Sequence, residues 1–503
     1  MQQLSEQDAA FLAGDSANAT ANVSLLHIYD QSTAPGGKLR FKTILAHIES
    51  RLGSAPLFRR RLLRLPLGLD RPYWVDDEHF DLEYHVRHIA LPKPGDWRQF
   101  CIQVSRLHAR PLDLNRPLWE IYVIEGLDSF LDLPAGSFAL LTKTHHAALD
   151  VEHDGELTAR LHDTAPGPAA APPPAPWFAD SAPSPLPLLL RGLARQAWQP
   201  WRLLRPLSRR LRKLAPARLA LAGEVLLQAG AEMPLVRFNA VVSPHRVFET
   251  RRFTLAEFER IRRLVRGATV QDAVLAVCGG ALRRYLDAHD ELPAEALLAL
   301  TSGEARAAGA APWRRVSLAT ELADPVQRLR AISAQTSDRK GAAAPARAAA
   351  KADAPAPPLL GRAARQVAQI LSGERMPLAT CSITQVPGPQ TPLYLCGARM
   401  SYFSAMLPVS DGLGLAIAVT SHDGRIVISP TSCRDLMPDP ERFAQALRDS
   451  FQELLALAPV DALPPPSKPA KAVAKMRRVS AAKPAAAARP RSRRTAAQGA
   501  KGA

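Results

Sequence analysis

The chain has 503 residues, 47% of them apolar, and a formal net charge of +17. That length can build two or three domains with cores of their own, and the apolar fraction is ordinary for a globular protein. The five cysteines are widely spaced, odd in number and free of any CxxC pair, so neither a disulfide framework nor a zinc site is expected, and a reducing cytoplasm fits best.

The polar N-terminus lacks the pattern of a signal peptide, and no apolar run approaches the ~18 residues of a membrane span. Ser5 with Asp8 reads as an N-cap ahead of a short helix. Val23 to Tyr29 is strand-like, being apolar and β-branched with turn residues after it. Phe41 to Arg51 and Trp97 to His108 have helical spacing, and Leu118 to Ile124 and Phe138 to Thr144 read as strands. Residues 163–187 are rich in Pro and Ala and read as a linker. Leu188 to Arg218 mixes Leu and Trp with many Arg, interrupted by Pro200 and Pro206. Such short cationic helices can lie in a membrane interface or pack on their own protein with Arg on the wet face. Further on, 253–264, 270–286 and 443–457 are predicted helices. A β-hairpin is expected at 412–428, turning at Asp423-Gly424. After Asp461 come eleven Lys or Arg and no acidic residue, which leaves only +6 to the rest of the chain. This tail is expected to be disordered, and either solubilises the protein or binds polyanions without sequence preference.

The chemistry concentrates at His145-His146-Ala147-Ala148-Leu149-Asp150, just after a predicted strand. A neutral imidazole can take a proton from a hydroxyl near pH 7, and a nearby carboxylate can fix a loop or a tautomer. The run resembles the HHxxxDG signature of coenzyme A-dependent acyltransferases. Several ordered segments make the chain similar to the bacterial wax ester synthase/diacylglycerol acyltransferase family. They are Leu4 to Leu12, Arg71 to Asp77, Tyr84 to His88, Pro117-Leu118-Trp119-Glu120, Phe238-Asn239 with Ser243 to Arg246, Ala281 to Leu286, and Val386 to Pro389.

The resemblance implies an α/β protein of two chloramphenicol-acetyltransferase-like domains, each a mixed sheet with helices. They would occupy 1–162 and 220–460, joined by a helical linker at 163–219 and followed by the basic tail at 461–503. It implies acyl transfer from acyl-CoA, a substrate, to diacylglycerol or a long-chain alcohol, with no bound cofactor and no metal. His146 would be the general base, His145 would orient the loop, and Asp150 would be structural and paired with an Arg. Pro117, Leu118, Trp119 and Glu120 would shape the substrate pocket, although the usual burial of Trp favours a strand start with Trp119 in the core. Gln271-Asp272 takes the place of the family's Asn-Asp pair; helix N-terminal chemistry is the plain alternative. The protein would work at the inner face of the membrane or on lipid inclusions.

Some positions depart from the pattern. Val151 stands where the signature has Gly, Gln385 where an Asn precedes Val-Pro-Gly-Pro, and Ser302 to Arg306 keeps only the Arg of its motif. A different reading is therefore a catalytically reduced relative that binds lipid surfaces or polyanions. A condensation-type domain acting on carrier-bound acyl groups shares the His pair but lacks the other ordered matches.

Overall fold

A computed structural model describes residues 2–65, 70–129, 133–134, 136–148, 160–167, 177–180, 187–188, 190, 233–302, 313–342, 379–388 and 390–459. Most of the expected linker and cationic segment, and the whole of the basic tail, lie outside these residues. The described strands are β1 (Gln2–Gln3), β2 (Asn22–Asp30), β3 (Arg60–Leu63), β4 (Tyr73–Asp76), β5 (Val86–Ala90), β6 (Trp119–Glu125), β7 (Phe138–His145), β8 (Arg246–Phe248), β9 (Arg251–Thr254), β10 (Leu298–Ser302), β11 (Trp313–Ser317), β12 (Cys381–Pro387), β13 (Tyr394–Leu395), β14 (Ala398–Met406), β15 (Leu415–His422) and β16 (Arg425–Cys433). The α-helices are α1 (Glu6–Gly14), α2 (Phe41–Arg51), α3 (Leu82–His85), α4 (Trp97–Ala109), α5 (Leu255–Arg262), α6 (Val270–Asp287), α7 (Pro325–Ala342) and α8 (Pro440–Leu457).

Two mixed sheets carry the chain. The first has the order β13-β14-β2-β7-β6-β5, and the second the order β11-β10-β12-β15-β16-β8, with β9 also on β16. A small sheet, β1-β4-β3, stands apart. The first sheet is covered on both faces, and its side chains sort by the period of two. Val23, Leu25, Trp119, Ile121, Val123 and Leu140 face one core, shared with Ile44 and Ile48 of α2. Leu26, Ile28, Tyr122, Ile124, Ala139 and Leu141 face the other, against Phe100, Val104 and Leu107 of α4. Burying a side chain of this size stabilises the fold by roughly 1.5–3 kcal/mol.

The expected strands and helices stand close to their predicted bounds. Ser5 accepts from the Asp8 N–H and caps α1. The hairpin closes at His422 opposite Arg425, with Asp423 at φ 45° and Gly424 at φ 71°. Two left-handed residues in sequence make the tight turn whose twist suits paired strands. One helix starts later than its periodicity suggests. Phe253 and Thr254 belong to β9, where Phe253 pairs with Ile426. Thr254 and Glu257 then form a reciprocal capping box, which sets the first helical residue at Leu255.

The sequence reading did not anticipate β14. This strand lies late in the chain yet pairs antiparallel with β2 in the first sheet, Ser404 opposite Leu26 and Met406 opposite Ser24. It ties the two sheets together. The Thr420 hydroxyl donates to the Phe403 carbonyl at 2.8 Å, and the Ser404 and Ser429 hydroxyls lie 2.7 Å apart. The 220–460 segment therefore lends two strands, β13 and β14, to the sheet of the 1–162 segment. No described helix is long and apolar enough to cross a membrane.

Helix α6 packs against α7 and α8 at a glycine. A Cβ on Gly280 would meet Ser450 Oγ at 2.1 Å and Arg328 Nη1 at 2.7 Å. Gly280→Ala is expected to destabilise the fold by about 1–3 kcal/mol through overpacking, read as a lower urea midpoint at unchanged slope. Adding Ser450→Ala should recover part of that loss. A wild-type midpoint in the single variant would show that the helices separate without cost.

Candidate active site

Strand β7 ends at His145, and its pairing with β2 and β6 fixes where the His pair emerges. The His145 N–H donates to the Leu118 carbonyl at 3.0 Å, and the His146 N–H donates to the Ala21 carbonyl at 2.8 Å. His146 to Ala148 then form one 3-10 turn.

The two imidazoles have different surroundings. His145 is buried, and both of its ring nitrogens are engaged. Nδ1 accepts the Ala147 N–H at 3.1 Å, and Nε2 lies 3.0 Å from Asp15 Oδ2. A nitrogen that accepts cannot carry the proton, so the proton sits on Nε2 and is donated to Asp15. His146 is partly exposed, and its ring stacks on Phe11 of α1 with centroids 3.8 Å apart. Its Nδ1 is buried and makes no hydrogen bond to another residue. Desolvation holds its pKa below the usual histidine value, and the neighbouring His145 adds to this; its own backbone carbonyl and the Asp8 carboxylate pull the other way. Burial therefore favours the neutral ring, and with Nδ1 buried Nε2 is the other ring nitrogen. The neutral ring is the state a general base needs.

Pro117, Leu118, Trp119 and Glu120 are all buried beside this pair, and their polar groups are used within the protein. Leu118 supplies the carbonyl that holds His145. The Trp119 indole donates to the Phe58 carbonyl at 3.1 Å and stacks on His85 at 4.4 Å. Glu120 lies opposite Lys143 across β6 and β7 and takes its ammonium at 2.7 Å. The Tyr122 hydroxyl donates to the same carboxylate at 2.7 Å. Lys143 is fully buried, and it completes its hydrogen bonding on the Leu107 and Arg110 carbonyls, each at 3.1 Å.

Asp272 is buried at the start of α6. It accepts the Thr269 N–H at 2.8 Å in a capping box, and its other oxygen accepts the Thr336 hydroxyl at 2.8 Å. Gln271 beside it is partly exposed. Gln385 is exposed on β12. Asp150, Val151 and residues 303–306 lie outside the described residues. Among the described residues, no group of three or more His, Cys, Asp or Glu is placed to hold a metal ion.

Three residues around the His pair were not singled out from sequence: Phe11, Asp15 and Ala21. Phe11 lies inside the motif-bearing opening segment. Asp15 is 130 residues from the histidine it contacts, and no local spacing marks it. The remaining motifs act as ties. Asn239 donates to the carbonyls of Ala379 at 2.9 Å and Gly412 at 3.0 Å. Arg246 donates to the carbonyls of Ser243 and of Asn18, the latter in the loop between α1 and β2.

Comparison with known proteins identifies the family. Residues 4–274 match the wax ester synthase/diacylglycerol acyltransferase catalytic domain, and residues 314–455 match the WS/DGAT C-terminal domain. A Mycobacterium tuberculosis protein provisionally named a diacylglycerol O-acyltransferase is 30% identical over 472 residues, 90% of each chain. Another from the same organism is 31% identical over 474 residues, 90% of this chain and 99% of the relative. The wax ester synthase/diacylglycerol acyltransferase of Marinobacter aquaeolei VT8 superposes with a TM-score of 0.63 at 25% identity, covering 91% of this chain and 99% of that one. The first condensation domain of the CDA synthetase, at 14% identity and a TM-score of 0.52, shares the fold. The chain belongs to the wax ester synthase/diacylglycerol acyltransferase family.

Proposed function

We propose that this protein transfers a long-chain acyl group from acyl-CoA to the hydroxyl of diacylglycerol or a long-chain alcohol, making triacylglycerol or wax ester. The observation that carries the reading is the unlike pair of histidines: His145 is saturated and immobile, while His146 is neutral and has a nitrogen to offer. The family match sets the acyl donor and the class of acceptor.

The thioester is already activated, so no covalent enzyme intermediate is required. The alcohol is the reluctant partner, because its hydroxyl must lose a proton as the oxygen attacks the thioester carbon. His146 takes that proton as the new C–O bond forms. The tetrahedral intermediate then collapses, the C–S bond breaks, and the imidazolium returns the proton to the departing thiolate. Ester and free coenzyme A are the products, with every proton accounted for. Glu120, Lys143 and Trp119 support the strand ends that present His146, and Asp272 anchors α6.

The product is insoluble in water, and the Leu-, Trp- and Arg-rich segment from Leu188 to Arg218 is suited to a lipid interface. The reading therefore places the enzyme peripherally on the inner face of the membrane or on lipid inclusions.

Purified protein with a labelled long-chain acyl-CoA and either hexadecanol or diacylglycerol should form labelled ester. His146→Ala should lose roughly 10²–10⁴-fold in kcat, with the fold intact by circular dichroism. Equal turnover in the variant would remove His146 from the chemistry.

The pH profile is a separate check. Neutral His146 is the active form, so kcat/KM falls as pH drops through its pKa. Because that pKa is depressed, the acid limb is expected below pH ~6.5, the unperturbed histidine value. Asp8→Asn removes a charge that raises it, and should move the limb to lower pH still. A limb above the ordinary histidine value would contradict the assignment.

A further inference from the structure

Asp15 stands at the C-terminal end of α1, outside every motif of the His pair, and its carboxylate joins three parts of the site. Oδ2 lies 3.0 Å from His145 Nε2. Oδ1 accepts the Ala21 N–H at 2.8 Å. The Ala21 carbonyl in turn accepts the His146 N–H at 2.8 Å. His146 is thus held from both sides by one carboxylate. On one side the path runs through Ala21 to its own N–H. On the other it runs through the His145 ring to the N–H of Ala147, the next residue.

The loop carrying this carboxylate is itself closed. The Ser16 N–H donates to the Ala19 carbonyl at 2.7 Å, and the Ala19 N–H returns to Ser16 Oγ at 3.0 Å. Arg246 of β8 holds the Asn18 carbonyl from the other half of the molecule. Asn22, next along, donates to the Arg110 carbonyl at 3.2 Å.

We infer that Asp15 is the positioning residue of the site: by accepting the Nε2 proton of His145 it fixes that ring's tautomer, and so the backbone turn that presents His146. A carboxylate has no proton to give, so it accepts only. His145 must then keep its proton on Nε2 and leave Nδ1 free for the Ala147 N–H. An amide at position 15 can face the ring with its NH₂ group. His145 would then have to accept at Nε2 and carry the proton on Nδ1, where it opposes the Ala147 N–H. An amide has one accepting oxygen where the carboxylate has two, so it can serve His145 or the Ala21 N–H but not both, and this near-identical shape with altered proton demand separates the role from simple packing. The inference rests on the acyltransferase reading for its kinetic consequence, and on geometry alone for the tautomer.

The test combines NMR of the full chain, ¹⁵N-labelled at histidine, with kinetics of two variants. His145 is assigned by loss of its signals in His145→Gln. In the wild type, His145 should show protonated Nε2 and unprotonated Nδ1; a proton on Nδ1 overturns the inference without any variant. Asp15→Asn should shift that pattern and lower kcat roughly 10- to 100-fold, the scale expected for a misplaced reacting group, with KM changed less than about twofold. Asp15→Glu, which still only accepts, should restore the tautomer and part of kcat. Wild-type kcat in Asp15→Asn overturns the inference, and so does an equal loss in both variants with the tautomer unchanged. If the wild type makes no ester, the acyltransferase reading fails, and the tautomer pattern still decides the role of Asp15.

Discussion

A neutral imidazole offers one donor and one acceptor, and at His145 both are committed. The consequences reach through the whole site. With the acceptor nitrogen tied to Ala147 and the donor nitrogen to Asp15, the first histidine can neither take a proton from a substrate nor turn. The second histidine is left partly desolvated, stacked on Phe11 and neutral. Adjacent residues of the same type thus acquire different surroundings and different hydrogen-bonding freedom, and the difference comes from their partners.

Behind the pair, the sheet carries a buried charge that a merely apolar core would not need. Lys143 and Glu120 face each other across β6 and β7, and burial depresses the lysine pKa while Glu120 raises it. Bringing both charges out of water is costly, and the pair is tolerable because the ammonium finds three acceptors and the carboxylate gathers Lys143, Tyr122 and the nearby Arg87. Removing one partner of such a pair costs about 3–5 kcal/mol, because the other is left buried and uncompensated. The arrangement locks the register of the two strands two residues before His145, since a slip by one residue would carry Lys143 to the opposite face.

The site was legible where its chemistry is local. Two histidines at the end of an apolar strand, with Pro117 to Glu120 on the next strand, could be read from spacing and motif, and the capping role of Asp272 from its place at a helix start. Trp119 belongs to the core, as the common burial of tryptophan suggests. Asp15 could not be read, because its hydrogen bond spans 130 residues and an acidic residue after a short helix has many ordinary explanations. The same holds for the fold. Strands followed by a tight turn, such as β15 and β16, announce their partner. β14 does not, because its neighbour β2 lies near the other end of the chain and no turn joins them. The start of α5 shows a smaller form of the problem. Its helical periodicity runs on into β9, and only the capping pair Thr254–Glu257 marks the boundary.

The exchange of β14 has a bearing on how the protein comes into being. Arg399 donates its backbone N–H to the Thr33 hydroxyl, a contact that spans 366 residues. During synthesis, β2 and β7 leave the ribosome long before their sheet can be completed, and one edge of β2 waits with its hydrogen-bonding groups unpaired. Closing so long a loop comes before any reward from the pairing, a topology associated with slow folding and with exposed strand edges that invite aggregation. The fragment ending after the His pair contains both histidines and Asp15 but lacks one of the two neighbours of β2. A strand edge of β2 that stays open until β14 has been made is the consequence of this placement.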